Sequence, residues 1–113
     1  LDDLEEGMKI AVASSDGVVI NTHFGRADSF YIYERQEGTI RLLEQRKGKP
    51  FCHFGEHEED QLLDAVELLA DCAKVYVLQI GKGAEEALRS RGIRAVTARG
   101  IITEVLECSE NWE

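Results

Sequence analysis

The chain is poor in several things at once, and each shortage removes a class of function. It has 113 residues with one proline, one methionine, one tryptophan and three cysteines. The cysteines, Cys52, Cys72 and Cys108, are odd in number and lack the spacing of a disulfide framework, which fits a reducing compartment. No apolar run approaches the ~20 residues that cross a bilayer, and the acidic start is unlike a secretory signal. The expectation is a cytoplasmic protein with no membrane partner. Positive charge is scarce too, with 13 Lys and Arg against 22 Asp and Glu and a net charge of −9. Arg41, Arg46, Lys47, Lys49, Arg89, Arg91 and Arg94 are interleaved with acids. A clustered basic surface for phosphate is missing, so nucleic acid is not an expected partner.

Catalytic signatures are missing as well. The sequence contains no G-x-S-x-G elbow, no H-E-x-x-H pair, no full G-x-G-x-x-G fingerprint and no G-x4-G-K-[ST] loop. Asp16, near the end of a strand, has no carboxylates on neighbouring strand ends for two-metal catalysis, and it reads as a turn residue. The chain is therefore expected to bind rather than to catalyse.

What is present is an ordinary globular composition, 43% hydrophobic and 31% charged, of a length that suits one domain. The acidic residues 1–7 (LDDLEEG) carry no strand pattern and read as a linker or as a remnant ahead of a native start at Met8. Residues 8–107 form the domain, and residues 108–113 read as an acidic tail.

Periodicity supplies the elements. Residues 8–13 (MKIAVA) alternate as a strand; 14–17 (SSDG) signal a turn, with Gly17 suited to positive φ; 18–20 are a short extended flap. Residues 29–34 form a second strand with Phe30 and Ile32 on one face and Tyr31 and Tyr33 on the other. A turn at Glu37-Gly38 leads to a third strand, 39–45. Regularity breaks over 48–55, around Pro50. A helix over 58–70 places Leu62, Ala65, Val66 and Leu69 on one face. A doubly buried strand over 74–80, a helix over 84–90 closed by Gly92, a strand over 94–96 and a helix over 101–106 complete the order.

That order, β-β-β-α-β-α-β-α, implies an α/β fold with a mixed five-stranded sheet and helices on both faces. If the first strand points up, the third does also, and right-handed crossovers make the later strands parallel to the first. Loops 14–28 and 46–57 then open at one end of the sheet, beside the residues following 80 and 97, where open α/β sheets bind ligands.

All three histidines fall in those two loops: His23 in one, His53 and His57 in the other, with Cys52 beside them. Imidazole and thiolate suit soft and borderline metals, so His23, Cys52, His53 and His57 are the candidate metal ligands, and zinc is one candidate ion. Gly81-Lys82-Gly83, leading into a helix, offers amides that can receive an anion, or is simply a tight turn. Cys72, before a buried strand, reads as a packed core thiol, and Cys108 as incidental.

The stretch 10–33 (IAVASSDGVVINTHFGRADSFYIY) resembles the dinitrogenase iron–molybdenum cofactor biosynthesis family, whose characteristic piece here is His23-Phe24-Gly25-Arg26-Ala27. Pro50-Phe51-Cys52, Asp71-Cys72, Ile80-Gly81 and Gly92-Ile93 follow in matching order, so the resemblance spans about residues 8–107. It implies a ribonuclease H-like three-layer α/β/α sandwich. It also implies transient binding of an iron–sulfur cluster, such as the iron–molybdenum cofactor precursor, and its delivery to nitrogenase or to cofactor-assembly proteins. Such a chain is either a carrier or the C-terminal domain of the precursor-synthesis protein. Carried over by motif, His23 is the first ligand and Cys52 the second. Phe24 and Gly25 share the motif, Arg26 neutralises the anionic cluster, and the Gly81 and Gly83 amides add hydrogen bonds. Where some members place a second cysteine soon after Cys52, this chain has His57. The alternative is a small zinc or simple iron–sulfur module, or a regulatory one, unrelated to nitrogen fixation.

Overall fold

The structure is a computed structural model that describes residues 8–36, 39–47 and 58–108. Its centre is β1 (Met8–Ala13), whose alternation sends Ala11 and Ala13 to one face and Ile10 and Val12 to the other. After β1 come the two-residue β2 (Val19–Ile20), a 3₁₀ turn at Phe24–Arg26, then β3 (Ser29–Gln36) and β4 (Thr39–Lys47). The second half holds α1 (Glu58–Leu68), β5 (Lys74–Val77), α2 (Lys82–Ser90), β6 (Arg94–Thr97), β7 (Gly100–Ile101) and α3 (Ile102–Cys108).

Five strands form one mixed sheet in the order β4-β3-β1-β5-β6. β1 runs antiparallel to β3, in register Ala11 to Ile32, and β3 antiparallel to β4. β5 runs parallel to β1 and to β6. The register of β3 and β4 shifts between Ile32 and Tyr33, which face Glu44 and Leu42, so Leu43 is the extra residue of a bulge. These directions agree with those read from the sequence, and they bring the C-terminal ends of β1, β4, β5 and β6 to one end of the sheet.

Side-chain alternation divides the core in two. Ala11, Ala13, Phe30 and Ile32 pack with Ala65, Val66 and Leu69 beside α1 and with Ala84 and Leu88 of α2. Ile10, Val12, Tyr33 and Tyr76 pack with Ile20 and with Ile102 and Leu106 of α3. Each buried apolar side chain contributes roughly 1.5–3 kcal/mol, so both faces of β1 and β5 help hold the sheet. The expected split of Phe30 and Ile32 from Tyr31 and Tyr33 is observed, with Tyr31 packing against the α3 cluster.

Element ends differ from expectation where ladder partners give out. β5 stops at Val77, short of the expected end at Ile80, because the Leu78 N–H turns to the Thr22 carbonyl at 3.0 Å. α1 ends at Leu68 rather than at residue 70, in turns closed by Leu69, Ala70 and Cys72 N–H groups. α2 starts at Lys82, two residues earlier than residue 84, and closes as expected on Gly92 at φ 79°. There the Ile93 N–H reaches the Leu88 carbonyl and the Gly92 N–H that of Arg89, both at 2.9 Å, while Leu88 and Ile93 share the core. Ile101, expected in the last helix, pairs instead with Val19 as part of β7, and α3 begins at Ile102.

Candidate functional site

Among the described residues, the end of the sheet where β1, β5 and β6 finish is built from three short segments. The first begins with a polar turn. Ser14, buried, accepts from the Gly17 N–H at 2.9 Å, and Asp16 Oδ1 accepts from the N–H groups of Val18 and Val19 at 2.9 and 3.2 Å. Those main-chain donors hold the Asp16 carboxyl below its ordinary range, so it stays ionised as the brace of its own turn. Gly17, at φ 76°, lies beneath the Tyr31 ring, which a Cβ would meet at 2.9 Å.

The chain then runs back over the end of β5. The Thr22 carbonyl accepts from Leu78 N–H at 3.0 Å, and Phe24 N–H donates to the Gln79 carbonyl at 2.9 Å. These bonds straddle His23, whose own carbonyl accepts from Arg26 N–H at 3.0 Å to form the 3₁₀ turn. Phe24 is wholly buried and its ring lies 5.7 Å from that of Phe30, at 52°. Phe24 is therefore a core anchor that holds its neighbours in place. His23 is half-buried, Gly25 half-buried and Arg26 exposed.

The second segment carries Gly81 and Gly83. Gly81 caps α2 with its backbone alone, its carbonyl accepting from Glu85 N–H at 2.9 Å, and Gly83 lies in the first turn. A methyl group at either would meet nothing within 4 Å among the described residues, so packing against those residues does not require glycine there. The third segment follows β6, where Ala98 N–H donates to the Val77 carbonyl at 2.9 Å.

Between the second and third segments lies a cleft of about 400 Å³ lined by Leu78, Gln79, Thr97, Ala98 and Arg99. The sequence places the ends of these strands, near residues 80 and 97, at the ligand-binding end of the sheet, but singles out none of these five residues, because none belongs to a motif. Only the parallel register of Val77 with Thr97 makes them neighbours. Arg26, Lys82 and Arg99 are exposed and meet no carboxylate among the described residues. Lys9, Arg41, Arg46, Arg89 and Arg91, in contrast, each form an ion pair.

Cys52, His53 and His57 lie outside the described residues. Among the described residues no three His, Cys, Asp or Glu side chains gather as a metal site. Cys72, as expected of a core thiol, is buried, and that burial, with the charge of Asp71 beside it, pushes its pKa up to about 12. Asp71 precedes β5 at the opposite end of that strand from Gln79, bonded to Arg46 at 2.8 and 2.9 Å and to Lys9 at 3.1 Å. No helix among the described residues is long and apolar enough to cross a membrane.

Comparison with known proteins gives a consistent result. The family model described as "Dinitrogenase iron-molybdenum cofactor" matches residues 7–111. The FeMo cofactor biosynthesis protein NifB of Frankia alni is 36% identical over 104 residues, covering 89% of this chain and 20% of that protein. Protein NifX of Azotobacter vinelandii is 33% identical over 102 residues, covering 85% of this chain and 61% of that protein. The chain thus spans about a fifth of the NifB relative's length. The crystal structure of PH0822 superposes with a TM-score of 0.69 over 94% of this chain and 100% of that one, at 23% identity, a likeness of fold alone.

Proposed function

The chain belongs to the dinitrogenase iron–molybdenum cofactor family, and from that premise we propose that it binds and carries an iron–sulfur precursor of the nitrogenase iron–molybdenum cofactor. It acts as a carrier, or as the C-terminal part of a precursor-synthesis protein, and performs no catalysis itself. The observation that carries this reading is the placement of His23. Two main-chain hydrogen bonds hold it over the end of β5, at the end of the sheet where loop residues converge.

In this reading His23 is the first ligand to an iron of the cargo and Cys52 the second, with His53 and His57 as further donors from the same loop. Arg26 offsets the negative charge of the cluster, and the amides of Gly81 and Gly83 donate to its sulfides. Gly25 lets the backbone pass close to the cargo, while Phe24 anchors the turn from below. A small set of labile ligands suits a protein that must hand its cargo on to nitrogenase or to an assembly partner. The cofactor-binding unit spans residues 8–107 and works in the cytoplasm. We read its two packed faces as a three-layer α/β/α sandwich of the ribonuclease H-like kind.

The test is anaerobic incubation with isolated iron–sulfur cofactor precursor, followed by gel filtration and iron counting, with zinc as a parallel competitor. Co-elution of several irons per chain, lost in His23→Ala, is the expected result. Retention of a single zinc and no iron overturns the carrier reading and makes this a metal-binding or regulatory module. Unchanged iron in His23→Ala overturns the ligand assignment.

A further inference from the structure

Among the described residues, none that lines the cleft between the ends of β5 and β6 carries a carboxylate, although the chain carries a net charge of −9. Three of its lining residues, Gln79, Thr97 and Arg99, carry side chains that can donate hydrogen bonds. Leu78 and Ala98, both half-buried, supply its apolar wall, and their N–H groups are already committed to Thr22 and Val77. Arg99 is exposed and meets no carboxylate among the described residues. A second cleft, lined by Glu85, Arg89, Gly92, Ile93, Arg94 and Ala95, differs in having an acid in its wall, and Arg89 already pairs with that acid at 3.7 Å.

We propose that the Gln79–Thr97–Arg99 cleft is an oxyanion subsite, taking a carboxylate or phosphate group with Arg99 as its cation. A guanidinium presents paired donors in one plane, the geometry that a carboxylate or phosphate accepts. Thr97 and Gln79 then satisfy the remaining oxygens. The main chain around the cleft is restrained, because Ala98 is bonded to Val77 and Leu78 to Thr22. An anion here would sit beside the segment that also holds Phe24, through Gln79, and so beside the His23 turn. The subsite deepens the carrier reading, giving an oxyanion-bearing co-ligand of the cargo a metal-independent handle. It stands on its own residues, however, and does not require His23 to ligate anything.

The experiment uses the full chain without metal, titrated with pyrophosphate in one arm and malonate in another, by calorimetry and by amide shifts of Gln79 and Thr97. One saturable site per chain is expected in at least one arm, with shifts at those amides, and the tighter arm identifies the anion class. Arg99→Ala should weaken it by about tenfold, and Arg99→Lys by less. Arg89→Ala should leave it unchanged. Absence of saturation in both arms, or equal affinity in Arg99→Ala, overturns the subsite. Iron counting with His23→Ala reads the carrier proposal separately, so either can fail while the other holds.

Discussion

The main-chain N–H of Phe24 donates to the carbonyl of Gln79 at 2.9 Å, a bond between residues that the sequence sets 55 positions apart (79 less 24). With the Leu78–Thr22 bond it fastens the His23 loop to the end of β5 by backbone alone. The arrangement therefore tolerates changes in the side chains of Thr22 and Gln79. It depends instead on the burial of Phe24, which seats the loop.

The two positive-φ turns separate backbone strain from steric strain. At Gly92 (φ 79°) an added methyl meets no atom of the described residues within 4 Å, so Gly92→Ala should cost only the left-handed conformation, about 1–2 kcal/mol. At Gly17 (φ 76°) the methyl would also press on the Tyr31 ring at 2.9 Å, so Gly17→Ala should cost about 1 kcal/mol more. Urea unfolding of Gly17→Ala in wild-type and Tyr31→Ala backgrounds checks this. The extra cost should vanish when the ring is gone, and the φ cost should remain.

Acid should weaken the junction of α1 and β5. Asp71 is bonded to Arg46 and Lys9, and Arg46 also donates to the Leu68 carbonyl at 2.8 Å. The Arg46 guanidinium holds the Asp71 carboxyl well below the usual carboxylate range. Folding thus favours the ionised form, and this stability is present above pH 4 and lost as pH falls below about 4. Because the Asp71 side chain is 47% exposed, solvent screening limits the loss to about 1–2 kcal/mol. Denaturation midpoints between pH 5 and pH 2 should fall less in Asp71→Asn than in wild type.

Much of this framework was legible from residue patterns, for reasons that particular positions show. The faces of β3 follow from alternation alone: Phe30 and Ile32 meet α1 and α2, and Tyr31 and Tyr33 meet α3. Gly92 announced the end of α2 because few other residues adopt its φ. The true end of β5 was hidden. Leu78 and Ile80 continue the apolar pattern, and what stops the strand is a partner 56 positions away (78 less 22). β7 was hidden for the same reason, being two residues that exist as a strand only through Val19 and Ile20. At the candidate site His23 stood out by its motif. Gln79, Thr97 and Arg99 are common residues made neighbours by register, and no local pattern marks them.

The buried thiol makes a prediction at the alkaline side. With its pKa at about 12, Cys72 stays protonated in the folded protein where an unfolded thiol, at about 8.5, has lost its proton. Between pH 9 and 12 the unfolded state therefore binds fewer protons, and stability falls as pH rises, by up to about 1.4 kcal/mol per pH unit from this group. Cys72→Ala should be less stable at neutral pH by about 1 kcal/mol but should decline less steeply above pH 9. The same burial should keep Cys72 unreactive toward iodoacetamide at pH 8 until urea unfolds the chain, as mass spectrometry of the labelled peptide would show.

Adjacent residues of one motif should separate folding from binding. Phe24 is wholly buried against Phe30, so Phe24→Ala removes a ring from the core and should cost about 3–5 kcal/mol. His23 is half-buried and joined to its surroundings through the main chain, which alanine preserves, so His23→Ala should change stability by less than about 1 kcal/mol. Iron retention after anaerobic loading should move the other way. His23→Ala should lose cluster while melting like wild type. Phe24→Leu, which keeps an apolar filling and loses about 1–2 kcal/mol, should still hold cluster at temperatures below its own melting point. If His23→Ala melts several degrees lower, the loop's position depends on the imidazole as well as on the backbone bonds, and iron loss in that variant would report on the fold rather than on a ligand.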